Sequence, residues 1–251
     1  MIAPIADLRA TTGDAAELVD QLHHGEQVRV LASRDEWRYV QGEDHYFGWT
    51  RARHLAAIGE TRGRLVVARP LAPVRAHAAA SSEVIALLPA GTALPPPAAS
   101  ADGWLPVTVS LESGVTRGAI RLEDAIDLAD VPHRSPTADD LIATAEAFVG
   151  VPYLWGGTTG LGLDCSGYVQ QVYRLNGLRL DRDADQQAME GRPVDVPARG
   201  DLVFFGKAAI THVGIARDER TMLNALGGKK VQVDDIDGLR VGVLAVRRYL
   251  P

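Results

Sequence analysis

Two small all-β barrels followed by an α+β domain are the architecture this sequence predicts, and three observations carry that prediction. Short β-like runs separated by turn residues fill the N-terminal half and follow the same rhythm twice. A stretch with two prolines, 129–136, then interrupts that pattern. Beyond it, apolar residues fall at helical spacing for the first time before strands resume. The chain has 251 residues and 46% hydrophobic content, enough for about two domains of ~150 residues or three smaller ones.

In the first barrel, residues 1–60, strands are expected at 26–31, 37–40 and 46–50. In the second, residues 61–130, runs at 64–68, 84–88, 103–109 and 116–120 surround a turn at Pro89-Ala90-Gly91. The second reads as a divergent copy. Gly25-Glu26, Glu36-Trp37 and Tyr46-Phe47-Gly48-Trp49 in the first stand against Gly91-Thr92, Gly103-Trp104 and Thr116-Arg117-Gly118-Ala119 in the second. Trp37, Trp49 and Trp104 are expected in barrel cores, and the prolines of 95–97 in a surface loop, since proline cannot pair inside a sheet.

The α+β domain is expected over residues 135–251. Thr137 with Asp140 three positions on forms a capping signal ahead of Leu141, Ile142, Ala145, Phe148 and Val149, with Gly150 and Pro152 as stops. A second helix starts at Asp164 and runs to Leu175 before an Asn176-Gly177 stop, which puts Cys165 in its first turn. Strands at 201–205, 212–216, 222–226, 231–233 and 241–247 complete an antiparallel sheet.

Cys165 is the single cysteine, which rules out an internal disulfide and a multi-thiolate zinc site. A lone cysteine is by itself more often a small buried hydrophobe. A helix start, however, lowers a thiol pKa through its unpaired N–H groups and macrodipole. His212 alternates with apolar neighbours in its strand. If 218–220 forms a three-residue hairpin loop, Arg217 faces Thr221 and Gly214 faces Asn224, so the side chains of His212 and Asn224 lie diagonally adjacent on one face. A thiol, a base and a group orienting the base are what cysteine nucleophilic catalysis requires. The other histidines, at 23, 24, 45, 54, 77 and 133, lack ligand spacing, so neither metal nor cofactor is expected.

The net charge of −6 argues against nucleic acid as a partner. No run approaches the roughly 18 apolar residues of a membrane span, and the start has neither a basic nor an apolar leader segment, so a cytoplasmic monomer without membrane contact is expected.

Asp164-Cys165-Ser166-Gly167-Tyr168, preceded by Pro152-Tyr153-Leu154-Trp155-Gly156-Gly157 and followed by Gly200-Asp201-Leu202-Val203-Phe204-Phe205 and His212-Val213-Gly214-Ile215, resembles the NlpC/P60 family of papain-like cysteine peptidases from about Asp139 onward. The resemblance implies Cys165 as nucleophile, His212 as general base and Asn224 at a third polar position where many members carry histidine. Both β modules resemble the bacterial SH3 domain, whose aromatic turn is matched by Tyr46-Phe47-Gly48-Trp49; the second module keeps Gly118 but has Ala119 in place of the aromatic.

The whole arrangement is similar to γ-D-glutamyl-L-diamino-acid endopeptidases of the dipeptidyl-peptidase VI type. The resemblance implies that Glu26 and Tyr46 reach over the cleft and hold the free N-terminal amine of a murein stem peptide, and that Tyr153, Asp164 and Ser166 contact the substrate. Ala184 stands where some relatives carry serine. The implied activity releases L-Ala-D-Glu from the diamino acid in cell-wall peptide recycling. The alternative, suggested by the Asn224 and Ala184 departures, is a murein-peptide-binding protein with a catalytically weak third domain.

Overall fold

The computed structural model describes residues 1–57, 65–94, 102–127, 129 and 134–250; the loop expected at 95–97 and the junction expected at 60/61 lie outside these. The chain forms two compact units, Met1–His133 and Arg134–Pro251.

In the first unit, β1 (Ile5–Arg9), β2 (Leu18–His23), β3 (Arg29–Arg34), β4 (Trp37–Gln41) and β5 (Phe47–Arg51) make an antiparallel sheet in the order β2-β1-β5-β4-β3. Its core is built from Ala3, Ala6, Leu8, Leu22 and Val40. The strand expected at 26–31 begins only at Arg29, because Glu26 belongs to a turn in which its carboxylate accepts from the His23 N–H at 3.0 Å.

The rest of that unit holds β6 (Leu65–Val67), β7 (Leu71–Arg75), β8 (Val84–Pro89), β9 (Ala93–Leu94), β10 (Trp104–Leu111), β11 (Gly114–Arg121) and β12 (Ala125–Asp127). These pair as β10-β11-β7-β8 and β12-β6-β9. Strands β1, β2 and β7 were not expected from the sequence; Pro73 dilutes the pattern of β7 even though Ala72 and Val74 alternate inward.

Several contacts recur in the two halves, although the first forms one five-stranded sheet and the second a four-stranded and a three-stranded one. Arg9 pairs with Trp49 across β1 and β5, and Arg75 with Ala119 across β7 and β11. The Arg9 guanidinium donates to the Ala16 carbonyl at 2.6 Å, and that of Arg75 to the Ser82 carbonyl at 2.5 Å. Arg51 stacks 4.2 Å above Trp37 and Arg121 4.4 Å above Trp104, and a 3₁₀ turn follows each arginine. Both glycines of the aromatic-turn signature are tightly enclosed. A Cβ on Gly48 would lie 2.8 Å from Leu8 Cβ, and one on Gly118 2.6 Å from Val74 Cγ1. Trp37 and Trp104 are buried as expected, whereas Trp49 is half-buried and tilts against Tyr39 at 5.3 Å.

In the second unit, α1 (Ala138–Glu146) begins at the expected capping box of Thr137 and Asp140, and α2 (Cys165–Leu175) begins at the Asp164 N-cap. Phe148 meets Tyr168 edge-on at 6.4 Å, next to the α1–α2 packing. Between the helices lies a short hairpin of β13 (Thr158–Thr159) and β14 (Gly162–Leu163).

After a one-turn helix α3 (Ala184–Gln187), which the sequence pattern did not show, come β15 (Arg192–Pro193), β16 (Leu202–Gly206), β17 (Ile210–Ala216), β18 (Thr221–Ala225), β19 (Val231–Asp235) and β20 (Gly242–Arg248). They form an antiparallel sheet in the order β15-β20-β16-β17-β18-β19. Central β16 is buried along its whole length. Asp201, 1% exposed, accepts both ends of the Arg248 fork at 2.8 and 2.7 Å and locks β20 to the start of β16.

Candidate active site

Cys165 sits in the first turn of α2, where the sequence placed it. The helix turns there because the Asp164 carboxylate accepts from the Gly167 N–H at 2.7 Å, satisfying one of the donors a helix start leaves open. The thiol's acidity departs from the expectation. Burial and then the neighbouring Asp164 charge push it up to about 11, against smaller opposing contributions from the Val213 and Ser166 N–H groups and from Arg182. Desolvation outweighs the helix terminus, so the thiol rests protonated and needs a base.

The candidate base, His212, lies on β17. The loop between β17 and β18 closes as a hairpin in which the Arg217 N–H bonds the Thr221 carbonyl at 2.8 Å, and the register Ile215↔Leu223 and Ala216↔Met222 sets Gly214 opposite Asn224. Asp218 holds the turn by accepting from the Arg220 and Thr221 N–H groups, each at 2.8 Å. His212 and Asn224 therefore share a face diagonally, and their side chains join, His212 Nε2 to Asn224 Oδ1, at 3.0 Å. Gly214 makes room between them, since a Cβ there would lie 2.7 Å from Met222 Sδ and 3.2 Å from Asn224 Cβ. Burial lowers the His212 pKa, partly offset by the Asn224 bond and the Asp234 charge. Burial thus disfavours the charged form of both groups, and the Val213 N–H, next to His212 on β17, reaches the Cys165 side chain.

Two groups of residues missed by the sequence reading support this pair. On β19, Asp234 Oδ2 accepts from Asn224 Nδ2 at 3.0 Å, and Gln232 Nε2 donates to both Asp234 oxygens at 2.7 and 2.9 Å. The strand expected at 231–233 stopped short of Asp234; one more step of its alternation places Asp234 on the Asn224 face. Beneath α2, Arg182 is 2% exposed and donates to Asp164 Oδ1 and Oδ2 at 3.1 and 2.7 Å and to Ser166 Oγ at 3.0 Å. Asp164 also accepts from the Gly156 N–H at 2.9 Å and from Ser166 Oγ at 3.3 Å. The Asp164 carboxylate, expected to contact the substrate, is therefore already balanced by Arg182, and the Ser166 hydroxyl belongs to the same network. A buried aspartate that needs a partner was the available signal for Arg182.

Tyr153 lies beside this network. Its N–H bonds the Lys229 carbonyl at 3.0 Å, which hangs its loop on the turn before β19. Its phenol is pushed up to about 12, first by burial and then by the Cys165 and Asp164 charges. Trp155 is 61% exposed, and Lys229 and Lys230 are exposed. In the first unit, Glu26 and Tyr46 are both half-buried. Their two turns are tied together by the Gln27 N–H bonding the Glu43 carboxylate at 3.0 Å.

Comparison with known proteins accords with this geometry. Residues 150–242 match the model of the NlpC/P60 family, and residues 8–55 that of the bacterial dipeptidyl-peptidase SH3 domain. A gamma-D-glutamyl-L-lysine dipeptidyl-peptidase from Bacillus subtilis is 32% identical over 231 residues, covering 85% of this chain and 74% of that protein. The chain belongs to the NlpC/P60 family. It is an NlpC/P60 cysteine peptidase preceded by a bacterial SH3 domain. Dipeptidyl-peptidase 6 of Lysinibacillus sphaericus is 29% identical, covering 94% of this chain and 91% of that protein. An NlpC/P60 family protein from Bacillus cereus shares the fold at a TM-score of 0.82 and 23% identity, covering 100% of this chain and 99% of that one. Among the described residues, this NlpC/P60 chain has no helix long and apolar enough to cross a membrane and no cluster of three or more His, Cys, Asp or Glu residues able to hold a metal ion.

Proposed function

We propose that this NlpC/P60 peptidase cleaves the γ-D-glutamyl to L-diamino-acid bond of murein stem peptides bearing a free N-terminal L-Ala, and so releases L-Ala-D-Glu for reuse in the cytoplasm. The observation that carries the reading is the 3.0 Å bond from His212 to Asn224, made on the strand whose Val213 N–H reaches the Cys165 thiol. Cys165 attacks the γ-carbonyl carbon as His212 takes its proton. The resulting oxyanion is held by N–H groups at the start of α2, and the imidazolium returns the proton to the leaving amine. Water then releases the dipeptide from the thioester, with His212 again the base. Asn224 holds the ring, and Tyr153 and Ser166 line the substrate side. Asp164, filled by its own donors, serves by fixing α2 and Ser166.

The names of the relatives above support the substrate class. Recognition of the free amine by Glu26 and Tyr46, whose turns are joined within the first unit, is part of the proposal, as is the reading of residues 61–130 as a second SH3-like module ahead of a catalytic domain at 135–251. The test incubates wild-type protein and Cys165→Ala with L-Ala-γ-D-Glu-L-Lys and with its N-acetyl form, following lysine release by mass spectrometry. Cleavage of the free peptide alone, abolished by Cys165→Ala, is expected. Equal cleavage of both peptides removes the role given to Glu26 and Tyr46. No cleavage of either, with binding retained, turns the protein into a receptor.

A further inference from the structure

The Asn224 amide is nearly symmetric in shape, and its two ends make opposite demands on an imidazole. Oδ1 accepts and therefore needs a proton on His212 Nε2; Nδ2 donates and needs that nitrogen bare, which moves the ring proton to Nδ1. Only the first arrangement leaves Nδ1 unprotonated and able to take a proton from Cys165. In a site whose third residue is asparagine, something outside the pair has to decide which end faces the ring.

We propose that Asp234 is a positioning residue for the reaction: by accepting from Asn224 Nδ2 it turns Oδ1 toward His212 and so selects the imidazole tautomer that can act as base. The inference rests on the roles given above to Cys165, His212 and Asn224. A carboxylate only accepts, so at 3.0 Å from Asn224 Nδ2 it is compatible with one amide orientation and opposes the other. Gln232 Nε2, donating to both Asp234 oxygens, keeps the carboxylate in place. The register puts Gln232 directly opposite Asn224, and Asp234 two residues further on along the same face. The polar sequence Gln232, Asp234, Asn224, His212 thus crosses three neighbouring strands, and each donor meets an acceptor. The Phe205 ring lies 5.8 Å from that of His212, and among the described residues Asp234 is the carboxylate whose charge bears on it.

Asp234 lies half-exposed on the edge strand, so its replacement opens no core. The test compares wild type, Asp234→Ala, Asp234→Asn and the exposed same-strand control Asp235→Asn, all in the full chain and checked for folding by circular dichroism. On L-Ala-γ-D-Glu-L-Lys, kcat is expected to fall by about tenfold in Asp234→Ala while KM stays within about twofold. Asp235→Asn, which removes the same charge from the same strand, is expected to match wild type. Ring ¹⁵N spectra are expected to show His212 protonated at Nε2 in wild type and in Asp235→Asn, with Nδ1 protonation appearing in both Asp234 variants. A wild-type tautomer and wild-type kcat in Asp234→Ala overturn the inference. Full activity in Cys165→Ala overturns the underlying reading instead, and the ring spectra judge Asp234 in either event.

Discussion

Replacing Arg182 by methionine removes the guanidinium that neutralises Asp164 and keeps most of the side-chain volume. In the native fold this cation's hydrogen bonds include two to Asp164 and one to Ser166, and the two side chains of the ion pair are 1% and 8% exposed. The carboxylate left behind keeps the Gly156 and Gly167 N–H groups and the Ser166 hydroxyl, but no counter-charge. Breaking a buried pair from one side costs about 3–5 kcal/mol, a large share of the roughly 5–15 kcal/mol that holds a typical domain folded. Cys165 is the single cysteine and is buried in this unit, so its labelling by a thiol reagent across a urea series reports the unfolding of the second unit alone. With a urea slope of about 2 kcal/mol per molar, the labelling midpoint is expected to drop by about 2 M. The double variant Arg182→Met, Asp164→Asn leaves no uncompensated charge and is expected to recover part of the loss. An unchanged midpoint in Arg182→Met would refute the assignment of Arg182 as the counter-charge that holds the start of α2.

Three further outcomes follow from the same geometry. In the native protein, alkylation of Cys165 is expected to be slow at neutral pH and to accelerate as pH rises toward 11; a rate already at its plateau below the ordinary thiol pKa of ~8.5 would mean the helix start dominates after all. Gly214→Ala places a Cβ 2.7 Å from Met222 Sδ and 3.2 Å from Asn224 Cβ, and is expected to cost about 1–3 kcal/mol in the labelling assay and to lower kcat by displacing Asn224. Burial depresses the His212 pKa below its ordinary 6.5, so the unfolded chain takes up that proton first; the stability contributed by the neutral ring is complete above pH 6.5 and is lost as pH falls through the folded value. Urea midpoints measured between pH 7 and pH 5 test this, with His212→Gln expected to fall less steeply on acidification.

Much of the second unit was legible because its signals are local. The Thr137 capping box, the Asp164 N-cap and the hairpin register that brings Gly214 opposite Asn224 each depend on residues close in sequence, and all three are present. What was illegible depends on distant partners or on solvation. Arg182 and Asp164 are 18 positions apart and meet only in the folded chain. The acidity of Cys165 follows from burial, which a helix-start argument omits. In the first unit, β1 turns only Ala6 and Leu8 inward, too short an apolar set to mark a strand, and in β2 the buried Asp20 and His23 stand where apolar residues would mark the inward face.

Two turns of the first unit share a backbone pattern but differ in what surrounds them. At the turn that follows β2, the Gly25 N–H bonds the Met1 carbonyl and the Glu26 N–H that of His23; at the matching turn after β8, the Gly91 N–H bonds the Val67 carbonyl and the Thr92 N–H that of Pro89. The backbone is the same, yet Glu26 is half-buried while Thr92 is wholly enclosed, its hydroxyl without a hydrogen-bond partner among the described residues. A carboxylate installed at Thr92 would be stripped of water with nothing to replace it. One turn is thus open to carry a charge at its rim and the other is sealed against it, so the same backbone turn differs at its two places in the chemistry it can accept.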